Sequence, residues 1–153
     1  MGIIDMFKGR KEAKEMKKAF ERKKERAEKI VAYEYALDEI TNAFNSIKAH
    51  LDKNADVKGA ETLIEEPKAK AMERLAEMKT SIETEISKLQ KQVTEMNQNK
   101  AWTARDAQEE LMSLTSTINK LSAISEKIDK AAAQIEQAVV GKNSDKGQPG
   151  GPQ

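Results

Sequence analysis

The sequence predicts an all-α fold: an elongated antiparallel three-helix bundle held along a coiled-coil seam, with a long basic N-terminal helical extension and a disordered C-terminal tail. Three observations lead there. Apolar residues recur at alternating spacings of three and four in three separate stretches, 35% of the 153 residues are charged, and aromatic residues make up only 4%. A hydrophobic fraction of 38% cannot fill a thick globular interior, but it can fill a seam in which only about two positions in seven must be apolar. Ala, Glu, Lys and Arg are abundant, and these residues lose least on entering a helix.

The first helix carries its clearest signal from Ile30 onward. Ile30, Leu37, Phe44 and Leu51 recur every seven residues, and Tyr33, Ile40 and Ile47 take the intervening positions. Extended backwards, that register meets Arg26, Lys23 and Ala19, with Met16 as the only large apolar match. The helix is therefore expected to begin near residue 10 with a solvated, basic first part, supported by pairs such as Glu25 with Lys29. Asn54, Asp56 and Gly59 break the pattern, a short helical turn fits Glu61 to Ile64, and Pro67 suits the start of the next helix.

The second seam runs through Met72, Leu75, Ile82, Ile86, Leu89, Val93 and Met96, with Lys79 as a polar intruder. Asn97 to Lys100 interrupts it, and Thr103 with Asp106 resembles a capping box. The third seam has one track through Leu114, Leu121, Ile128 and Ile135 and another through Leu111, Ile118, Ser125, Ala132 and Val139. Gly141 and Asn143 end it. The expected organisation is an apolar tip at 1–9, a basic arm at 10–29, a bundle at 30–142 and a Gly- and Pro-rich tail at 143–153. Its helices cover about 10–53, 68–97 and 104–140. At a rise of ~1.5 Å per residue, the arm overhangs the bundle near Trp102 by roughly 25 Å.

Charge is distributed unevenly. Residues 1–30 hold eleven Lys or Arg and six Asp or Glu, a net of +5, within a chain whose total is +1. There is no cysteine, which removes disulfides and thiolate chemistry. Met1 to Phe7 is short for a signal-peptide core and no stretch reaches the ~20 apolar residues of a membrane span, so the expected location is the cytoplasm, with a peripheral place at the membrane as the variant.

The tip Gly2-Ile3-Ile4-Asp5-Met6-Phe7 contributes Ile3, Ile4, Met6 and Phe7, followed by Lys8, Arg10, Lys11 and Lys14. Such a segment fits an anionic membrane surface or packing on a partner. The arm, with Met16 and Phe20, is also a candidate for nucleic acid, although glutamates interrupt its positive face. Trp102 either caps the open end of the seam or anchors a partner. His50 is the only histidine, and one histidine without cysteine does not make a metal site. Glu65-Glu66 and Glu109-Glu110 are adjacent, so neither pair shares a helix face. No Gly-rich phosphate loop or serine-nucleophile motif is present. No enzyme activity, cofactor, metal or small-molecule substrate is expected.

The opening from Met1-Gly2-Ile3 to Phe7, ahead of long charged helices, resembles that of the phage-shock and ESCRT-III-like membrane remodellers. The resemblance covers those opening residues alone and implies a membrane-surface role through the tip. Trp102-Thr103-Ala104 departs from the Trp-x-Gly turn of the helical-hairpin substrates of Gram-positive secretion systems. The residues themselves point to a non-catalytic assembly or adaptor protein, of bacterial or phage-type scaffold character, that self-associates or binds another helical protein.

Overall fold

A computed structural model describes residues 3–98 and 105–141; the side chains of residues 3–13, 15, 16, 105 and 106 lie outside that description. Four helices follow in order: α1 (Ile3–Lys53), α2 (Ala60–Leu63), α3 (Glu65–Gln98) and α4 (Arg105–Gln137). No strand occurs among the described residues. The fold is an all-α helical bundle.

Two compact units share the three long helices. The first comprises Met1–Ala32 and Ile86–Leu121, and the second Tyr33–Glu85 and Ser122–Gln153. Each therefore packs one segment of α1, one of α3 and one of α4.

In the second unit the directions of the helices follow from their cross-links. Lys68 Nζ donates to the Glu136 carbonyl at 3.0 Å, and Lys79 pairs with Asp129 further along, so α3 runs against α4. The turn after α4 brings the Gly141 amide to Asp52 Oδ1 at 2.7 Å, beside the end of α1. α1 and α4 thus run parallel in this unit, with α3 antiparallel to both. Leu37, Ile40, Phe44, Leu51, Leu75, Ile82, Ile128 and Ile135 fill its interior, with Ile64 anchoring α2. A fully buried Ile or Leu of this kind contributes about 1.5–3 kcal/mol. In the first unit Ile30, Leu89, Leu114 and Leu121 are buried, and Tyr33, Ile86, Val93, Leu111 and Ile118 are half-buried in their respective units.

The structure corrects the sequence-based reading in six places. Met78, not Lys79, takes the buried position between Leu75 and Ile82, and Lys79 lies at the margin against Asp129. On α4 the second track sits one residue earlier, at Thr117, Ile124 and Ala138, while Ile118 and Ser125 are half-buried and Val139 is exposed. In both helices the buried positions keep the seven-residue spacing, and the difference lies in the order of the steps: three then four, as in Leu75, Met78 and Ile82 or Leu121, Ile124 and Ile128, where the sequence reading takes four then three. Ile47 is 43% exposed, lining an open groove with Leu63, Pro67 and Ala71. Arg26, expected on a solvated arm, is buried, so close packing of α1 reaches back beyond Ile30. Finally, α1 begins at Ile3 and not near residue 10, and α4 ends at Gln137 and not near 140.

Local chemistry sets the connection between α1 and α2. Asn54 Nδ2 donates to the His50 carbonyl at 2.9 Å, closing the last turn of α1. A staircase of amide bonds follows, from Asn54 to Leu51, Val57 to Asn54 and Ala60 to Val57. Gly59 turns the chain with φ +86, a backbone state that residues with a Cβ rarely adopt. Pro67 falls in the first turn of α3, where its missing amide hydrogen costs no helical bond.

Asp52 ties the second unit together. Burial pushes its carboxyl upward, but the hydrogen bond from Lys48 at 2.7 Å and the Gly141 amide outweigh that and hold it below the ordinary aspartate range. A depressed folded value means the contribution is complete above the unfolded value (about 3.9) and is lost as pH falls through the lower folded one. Acid unfolding followed by circular dichroism is expected to show wild type losing stability relative to Asp52→Asn across that interval. Parallel acid curves would show that the carboxylate carries no such linkage.

Candidate functional site

The first unit holds the basic stretch of α1 against the opening turns of α4. Arg26 is only 8% exposed and occupies a seam position. Its Nη1 lies 3.1 Å from Glu110 Oε1 and its Nη2 donates to Ser113 Oγ at 3.0 Å. Nε is buried without a hydrogen-bond partner. Thr117, one turn along α4, turns its hydroxyl inward to the Ser113 carbonyl at 2.8 Å. A guanidinium taken out of water is costly unless it is paired, and removing one partner leaves the other charge stranded. The pair therefore acts as a register pin: any slide of α1 along α4 separates Arg26 from Glu110.

Beside this pin lies a groove of about 360 Å³ between the two helices. Lys23, Ala27 and Ile30 line one wall, and Met112, Ser116, Thr117 and Lys120 line the other. Hydroxyls and lysines add polar groups to walls that are otherwise apolar. Phe20 is 68% exposed on α1, with Val31 also exposed, and Met112 on the α4 wall of the groove is 73% exposed.

The second unit has the more apolar surface. A groove of about 420 Å³ opens between α1, α2 and α3, floored by Ile40, Phe44 and Leu51 and walled by Ala43, Ile47, Leu63 and Ala71. Leu63 is 60% exposed at its edge, and Val57 is exposed nearby in sequence. Glu66, Lys70 and Arg74 form the charged rim, with Lys70 Nζ 3.2 Å from Glu66. A smaller cleft of about 190 Å³ between α1 and α4, reaching Thr41, Lys48 and Gln134, is more polar.

Of the residues that the sequence singles out for contact, Lys14 and Phe20 are exposed. The backbones of Ile3, Ile4, Met6, Phe7, Lys8, Arg10, Lys11 and Met16 belong to α1, while their side chains lie outside the described residues. Trp102 lies outside them altogether. His50 is exposed. Among the described residues, no group of three or more His, Asp or Glu is arranged to hold a metal ion, and no helix is long and apolar enough to cross a membrane.

Sequence reasoning missed Leu63, Val57, Val31 and Met112. The available signal was a large apolar residue on a charged helix or turn, lying off the seven-residue tracks. It also missed the Arg26–Glu110 pair, whose signal was a base on a seam position with an acid available on another helix.

The two units differ in charge. The first contains sixteen Lys or Arg against ten Asp or Glu, a net of +6, and the second eleven against sixteen, a net of −5. No protein-family model, curated protein or solved structure matches the chain.

Removing one member of the buried pair tests its role. Arg26→Ala is expected to lower stability in urea by about 2–4 kcal/mol, toward the lower side for a buried pair because Glu110 retains some contact with water. Arg26→Leu combined with Glu110→Leu should recover most of that loss. An Arg26→Ala variant as stable as wild type would mean that the pair is not enclosed.

Proposed function

We propose that this chain is a non-catalytic assembly protein that works through helix-to-helix contacts, with further copies of itself as its partner. The observation that carries this reading is the coincidence of exposed apolar side chains with a charge split between units. Phe20, Val31 and Met112 accompany a unit of net +6, and Ile47, Val57 and Leu63 accompany one of net −5. Large apolar groups grouped on the surface of a charged protein mark interaction sites more often than isolated ones do. Opposite charges add selectivity and speed to association.

Other readings rest on less. A membrane-surface role depends on Ile3, Ile4, Met6 and Phe7, whose side chains lie outside the described residues. A nucleic-acid role needs an uninterrupted basic face, and Glu21, Glu25 and Glu28 are exposed among the bases of α1. An adaptor role for a different helical protein uses the same surfaces and is separated from self-association by the experiment below.

Sedimentation velocity over a range of protein concentrations should show the weight-average coefficient rising with concentration at low salt. The rise should diminish between roughly 0.05 and 0.5 M salt, as the Debye length shrinks to a few ångströms. A single monomeric species at every concentration in low salt would contradict self-association.

A further inference from the structure

We infer that copies of this chain associate head to tail: the exposed α1 stripe of the first unit docks as an added helix in the apolar groove of the second unit of another copy. This rests on the assembly reading and specifies which surfaces meet.

The stripe follows from helical spacing. At about 100° per residue, positions 20, 27 and 31 fall within a narrow sector of the helix. Phe20, Ala27 and Val31 are all exposed there, with the buried Ile30 and Arg26 about 80° and 120° around the helix and Ala27 at the edge of the α1–α4 groove. Spacings of seven and four are those with which one helix presents apolar groups to a furrow between two others. The groove of the second unit is such a furrow, lying between segments of α1 and α3 and closed at one edge by Leu63 of α2. The groove of the first unit is the poorer acceptor, because Ser116, Lys23 and Lys120 contribute polar groups that an apolar helix face would take out of water without a partner.

Charge decides against pairing of like with like. A contact of stripe with stripe brings together two units of +6, and one of groove with groove brings together two of −5. The crossed contact alone brings opposite signs together. The rim of the groove carries Glu66 together with Lys70 and Arg74, and the stripe is flanked by both signs as well, Glu21 and Glu28 beside Lys17 and Lys24. The rim itself carries one acid against two bases and the flanks of the stripe balance, so the direction of the contact comes from the net charges of the whole units. A contact between two different surfaces is heterologous, so it propagates into open chains or closes into a ring instead of stopping at a symmetric dimer.

The test uses two full-length variants. Phe20→Asp disables the stripe and Leu63→Asp the groove; both side chains are exposed, and circular dichroism checks that each variant stays helical. Val31→Asp replaces the first and Ile47→Asp the second should either fail that check. Each variant alone should self-associate at least about tenfold more weakly than wild type. An equimolar mixture should form a one-to-one heterodimer, because the intact stripe of one variant meets the intact groove of the other. That dimer should weaken with added salt.

If wild type self-associates but the mixture stays monomeric, the head-to-tail contact is overturned while the assembly reading stands. If either variant alone assembles as wild type does, its surface is not in the contact and the inference is again overturned. A wild type that stays monomeric at all concentrations removes the assembly reading itself.

Discussion

Helix propensity alone leaves a helix of 33 or 34 residues in water only partly formed, and α3 and α4 are of that length. What fixes them is the burial of one narrow strip of apolar side chains on each, pressed against strips on the other two helices. Leu75, Ile82 and Ile128 in the second unit, with Leu114 and Leu121 in the first, are almost wholly removed from water. The remaining surface of each helix is free to be charged, and it is. Abundant charge and a secure fold are compatible here because the strip needs so few positions.

The strip also specifies alignment, and at Arg26 it does so with charge. The Arg26 guanidinium is held by Glu110 and Ser113 on α4, contacts that a slide of one helix along the other would break. Its buried Nε has no hydrogen-bond partner, a cost that the apolar positions of the strip do not carry. In the second unit the comparable fastening lies at the edge, where Asp52 joins Lys48 and the turn at Gly141. One unit is pinned through its seam and the other at its closing turn.

Most of the architecture was legible in the sequence because burial follows the period of the helix, and large apolar residues spaced by three and four have few other uses. The errors cluster where that logic is too coarse. The spacing alone does not say whether the three-residue or the four-residue step comes first, so Lys79 takes the place where Met78 lies, and Ser125 that of Ile124. Ile47 sits on an open groove beside Leu63, Pro67 and Ala71, and no periodicity reports such an opening. Arg26 looked like the fading of the stripe, since its partner is a glutamate far away in sequence. The candidate surfaces were less legible still. Phe20 was recognised from its isolation, but the groove around Leu63 exists only once α2 closes the furrow between α1 and α3.

The charge division follows from the same economy. With the strip supplying cohesion, the outer faces can distribute sign between the units, +6 and −5, without endangering the fold. The whole account depends on cohesion residing in the strip and not in the surface, and paired alanine substitutions in the second unit test this directly by urea unfolding. Ile82→Ala removes a fully buried side chain and is predicted to cost about 2–5 kcal/mol, whereas Leu63→Ala at the exposed groove edge should stay within about 0.5 kcal/mol of wild type. Equal losses from the two, or no loss at Ile82, would contradict it.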